Sequence, residues 1–67
     1  MNPKEYLEIK IKELEDQLTF VRECREREIC KEIPKRNYNI LLMLHKDEKL
    51  YLFCLNELKL FLERFYE

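Results

Sequence analysis

Between Asn39 and Phe61 two apolar runs flank five consecutive polar residues, His45-Lys46-Asp47-Glu48-Lys49. How this stretch folds decides the architecture. As one helix, Ile40, Leu44, Tyr51, Leu55, Leu58, Leu62 and Phe65 share a face, but Asp47 and Glu48 fall on that same side. Leu41, Leu42, Leu52, Phe53 and Leu60 then fall elsewhere on the wheel. As a β-hairpin, the polar residues become the turn and its shoulders. His45 pairs with Leu50, Met43 with Leu52, and Leu41 with Cys54. One face then carries Tyr38, Ile40, Leu42, Leu44, Tyr51, Phe53 and Leu55, and the other Leu41, Met43, Leu50, Leu52 and Cys54. Continuous apolar runs bounded by a turn signal read as strands buried on both faces. Tyr51 and Phe53 suit strands. Leu, Met, Lys and Glu pull toward helix, and a two-residue Asp-Glu turn would need positive φ at both positions. A four-residue loop on a type I turn avoids that cost. The hairpin is the preferred reading.

The N-terminal half is plainer. Asn2 suits the N-cap, Pro3 the first helical position and Glu5 the acid of a capping box. Leu7, Ile11, Leu14, Leu18 and Val21 recur at alternating spacings of four and three, the seam of a coiled-coil-like amphipathic helix. Glu8–Lys12 and Glu23–Arg27 are i,i+4 pairs in the favourable order. After Val21 the apolar pattern decays, with Cys24, Ile29 and Cys30 as the only apolar residues up to Glu32. Pro34 ends the helix and disfavours helical dihedrals at Ile33. The resulting expectation is an α+β fold of one domain: a helix over about 3–32, a loop over 33–37, a β-hairpin over about 38–54 and a short helix over about 55–66. The alternative is an all-α two-helix hairpin forming a dimeric bundle.

Both readings lead to a partner. A chain of 67 residues buries only about 60% of its unfolded surface and seldom stands alone. A two-stranded ribbon is not stable by itself, and two amphipathic helices pair into four-helix bundles. The expectation is therefore a homodimer that also binds a protein partner, with Leu7, Ile11, Leu14, Leu18 and Val21 as the oligomer or partner interface. Lys4–Asp16 carries three cations and five anions, Arg22–Arg36 six cations and four anions. That polarity complements the helix dipole and would also favour antiparallel packing of two copies.

Site chemistry is sparse. Cys24, Cys30, His45 and Cys54 supply a Cys3His zinc set by ligand type, but their spacings match no finger or knuckle, so no metal is expected. They read instead as small apolar cysteines and a surface histidine. One His, no Ser and no Gly leave a Cys/His pair without an oxyanion loop, and exclude a Gly-rich phosphate cradle. The expectation is no enzyme and no cofactor. Lys31, Lys35 and Arg36 around Pro34 are the least neutralised part of a basic cluster and the candidate nucleic-acid contacts. Glu23, Glu26, Glu28 and Glu32 interleave with that cluster and cancel much of its field. A nucleic-acid-binding regulator is the alternative to the interaction module.

The longest apolar run, Leu50–Leu55, is too short to span a bilayer, so no membrane is expected. The Glu/Lys-rich start lacks the apolar region of a signal peptide, and three cysteines are an odd number. Both point to a cytoplasmic, intracellular setting. Twelve leucines with no Gly, Ala, Ser or Trp fit an AT-rich gene, as in small viral or mobile-element reading frames or AT-rich cellular genomes. The functional expectation is a small interaction module that modulates a larger protein.

Overall fold

A computed structural model describes residues 2–66. The chain folds into two long helices joined by a tight connection: α1, Pro3–Ile29; a 3-10 turn, Ile33–Lys35; and α2, Tyr38–Tyr66. They lie side by side in a rod of 49 × 16 × 14 Å. Among the described residues there is no strand. The β-hairpin expected over 38–54 and the separate helix expected over 55–66 are one continuous helix, so the α+β fold is corrected to the all-α two-helix hairpin.

Two features of α2 explain the correction. Ile40 is the only β-branched residue between Tyr38 and Tyr66, and the segment has no Gly or Pro. Leu, Met, Lys and Glu lose little rotamer freedom in a helix. The objection to a single helix is the pair Asp47 and Glu48 on its apolar side, and for Glu48 α1 supplies the answer. Arg25 donates to the Glu48 carboxylate, and Arg22 Nε lies 3.6 Å from the same oxygen. Glu48 is held at 14% side-chain exposure without being left unpaired. A charge on the core face is tolerable when the facing helix carries its counterion.

α1 begins as its sequence predicts. Asn2 caps it, its side chain accepting from the Glu5 N–H at 2.8 Å, with Pro3 in the first turn. It stops at Ile29, earlier than the expected boundary near 32, with Cys30 as C-cap. Of the expected surface pairs, Glu23–Arg27 is present at 3.9 Å. Lys12 reaches forward to Asp16, at 2.8 Å, rather than back to Glu8.

The core is one thin seam. Ile11, Leu18 and Leu55 form its centre, with Leu14, Tyr51, Leu52, Leu58 and Leu62 packed around them. Val21 and Leu44 are also buried. Among the described residues no side chain is completely enclosed. Two helices meeting along one line bury one stripe of each, and the rest of both surfaces faces water.

Candidate protein–protein interface

The seam of α1 continues past its apolar part. The spacing that links Leu7, Ile11, Leu14, Leu18 and Val21 next selects Arg25 and Glu28. On α2 the matching positions are Leu41, Leu44, Glu48, Tyr51, Leu55, Leu58 and Leu62, again at alternating threes and fours. The helix–helix contact is thus apolar from the open end of the hairpin to Val21 and Tyr51, then ionic at Arg25 and Glu48. Near the connection Glu28 takes over.

Glu28 is a buried carboxylate. One oxygen accepts from the Asn37 backbone N–H at 2.6 Å, and the other lies 2.6 Å from Lys31 Nζ. The Lys31 ammonium, and then the Asn37 N–H, hold the Glu28 carboxyl below its ordinary pKa. Asn37 in turn caps α2, its side-chain oxygen accepting from the N–H groups of Asn39 and Ile40. One carboxylate therefore fixes the end of α1 to the cap of α2. Sequence reading treated Glu28 as one of four cancelling charges. Its signal was its place on the seam, seven residues after Val21, together with an Asn directly ahead of the next helix.

The structure places the five proposed interface residues between the two helices. Ile11, Leu18 and Val21 are buried, and Leu7 and Leu14 are half-buried. The surface left to a partner lies elsewhere, mainly on α2. There Leu42, Met43, Leu50, Phe53, Leu60 and Phe61 are exposed, Phe53 at 64%. These include three of the residues that fitted no single helical face in the sequence. They form a second face, turned away from α1. At the open end Phe61 stacks with Phe65 at 4.7 Å between ring centroids and lies 6.1 Å from Tyr66.

The other candidates do not assemble into a site. Lys31 is held by Glu28, Lys35 Nζ lies 3.8 Å from Glu32, and Arg36 Nε donates to the Lys31 carbonyl at 3.0 Å. Cys24, Cys30 and Cys54 are free thiols. Among the described residues no three His, Cys, Asp or Glu side chains gather as metal donors, so Cys24, Cys30, His45 and Cys54 are not brought together. Two of the surface depressions are open ones. One is lined by Glu5, Glu8, Ile9, Lys12 and Glu13, another by Glu23, Glu26, Arg27 and Cys30. No described helix is long and apolar enough to cross a membrane. Comparison with protein-family models, curated proteins and solved structures finds no match.

Proposed function

We propose that this chain is a small non-enzymatic protein–protein interaction module, a homodimer that binds and modulates a larger protein. The observation that carries the reading is the outward face of α2. A thin rod that has already packed one apolar seam still presents a row of large apolar side chains to solvent. Contiguous exposed apolar surface of this kind marks association sites. The basic cluster argues less for nucleic acid than its composition suggested, since Lys31 is paired with the buried Glu28 and Arg36 donates to the Lys31 carbonyl. The small size, the leucine-rich alphabet and the missing Gly and Ala keep a viral or mobile-element source, and an intracellular site of action, within the same proposal.

The test is a tagged pull-down from source cells, with and without nuclease, read by mass spectrometry. One dominant protein retained after nuclease is the expected result. Loss of every partner on nuclease treatment would overturn the reading and shift it to Lys31, Lys35 and Arg36.

A further inference from the structure

The outward face of α2 has its own seam. Met43, Lys46, Leu50, Phe53, Glu57 and Leu60 follow one another at spacings of three, four, three, four and three. At 3.6 residues per turn they form a single strip about 26 Å long, on the side opposite Leu44, Leu55 and Leu62. All six are exposed. Four are large and apolar. The two charged ones, Lys46 and Glu57, have opposite signs, and among the described residues neither has an ion-pair partner.

The order of these residues is self-complementary when reversed. Place a second α2 antiparallel to the first, with the two-fold axis between Tyr51 and Leu52. Leu50 then faces Phe53 of the second copy, Met43 faces Leu60, and Lys46 faces Glu57. Each contact occurs twice by symmetry, as an isologous interface requires. The layers alternate in the pattern of an antiparallel coiled coil, and the only charges in the strip meet their opposites. A parallel, in-register pair would instead set Lys46 against Lys46 and Glu57 against Glu57, which is repulsive.

We infer that a second copy of this chain covers the outward face of α2, through antiparallel α2–α2 pairing centred between Tyr51 and Leu52. The inference rests on the interaction-module reading and names the surface by which the homodimer forms. It moves that surface from the Leu7–Val21 seam, which α2 of the same chain occupies, to the opposite side of α2.

The test is sedimentation equilibrium of the full chain from micromolar to near-millimolar concentration, with helix content followed by circular dichroism. The wild type is expected to dimerise. Lys46→Glu and Glu57→Lys should each weaken the dimer by about tenfold, because each turns two symmetric attractions into repulsions. The doubly swapped chain should recover wild-type association, and an equimolar mixture of the two single variants should pair as well as the wild type. A wild type that stays monomeric overturns the inference. So does a dimer indifferent to the swaps, or a double variant no stronger than the singles. A monomeric wild type that still captures a protein partner leaves the interaction-module reading standing without the self-pairing. The expected swap pattern with an empty pull-down does the reverse.

Discussion

The two helices are nearly equal in length and unequal in what they leave uncovered. α1 carries fourteen charged residues among 27, and α2 carries eight among 29. On α1 the exposed apolar residues are few, Tyr6, Ile9, Phe20 and Ile29, and are scattered among charges. On α2 they form a strip. A helix with one apolar stripe is satisfied by one neighbour, whereas a helix with two stripes on opposite sides needs two. α1 is therefore complete within the hairpin, and α2 is only half covered. This difference accounts for both the thin core and the location of the proposed dimer contact.

Truncating neighbouring residues on opposite faces of α2 separates the covered side of that helix from the open one. Leu55 is only 4% exposed, at the centre of the seam. Leu55→Ala should lower stability by about 2–3 kcal/mol, toward the low end for buried leucines because the gap opens to solvent. Phe53→Ala should change the stability of the dilute monomer by less than about 0.5 kcal/mol. Urea midpoints at low protein concentration separate the two. Equal losses would mean that the outward face is buried within the chain.

A smaller effect is expected where the seam turns ionic. Arg25→Ala leaves Glu48 with only the more distant Arg22 and should cost about 1–3 kcal/mol. Adding Glu48→Leu should return most of that loss, since an apolar residue suits the seam without a counterion. If the double variant melts no higher than Arg25→Ala, the charge on Glu48 was not the source of the penalty.

The smallest effect is tied to pH. The folded Glu28 carboxyl is held below its ordinary value of 4.5, so the unfolded chain takes up its proton first as pH falls. The contribution of Glu28 is fully present above about pH 4.5 and is lost as the pH drops through the folded value. Glu28→Gln keeps the shape but not the charge. The urea-midpoint difference between wild type and Glu28→Gln should shrink steadily with acidification. A difference that does not vary with pH would show that the carboxylate is not held by Lys31 and Asn37.

Part of this was legible in the residues alone. The start of α1 was, because Asn2, Pro3 and Glu5 act locally. So was the 4-3 spacing from Leu7 to Val21, because one helix face repeats on its own. The later seam was hidden because Arg25 and Glu28 are charged, and a search for apolar periodicity passes over them. α2 was misread for a related reason. Leu42 and Phe53 fit no single helical face, and continuous apolar runs on either side of a polar turn signal make a two-faced strand attractive. Glu48 was counted against a helix because its counterion sits 23 residues away in sequence.

Where α1 begins, the apolar character of its seam and the small interior of so short a chain are all written in the residues. These follow from capping chemistry, helical periodicity and surface-to-volume scaling, all of which act within a few residues or on the chain as a whole. The packing of α1 against α2 settles what helix propensity alone left open: that Glu48 belongs on the inner face of one helix over 38–66, and that the outer strip remains open. Each depends on what α1 places opposite α2. A charge is acceptable in a seam only beside its partner, and an apolar residue counts as exposed only once the neighbouring helix has taken its place.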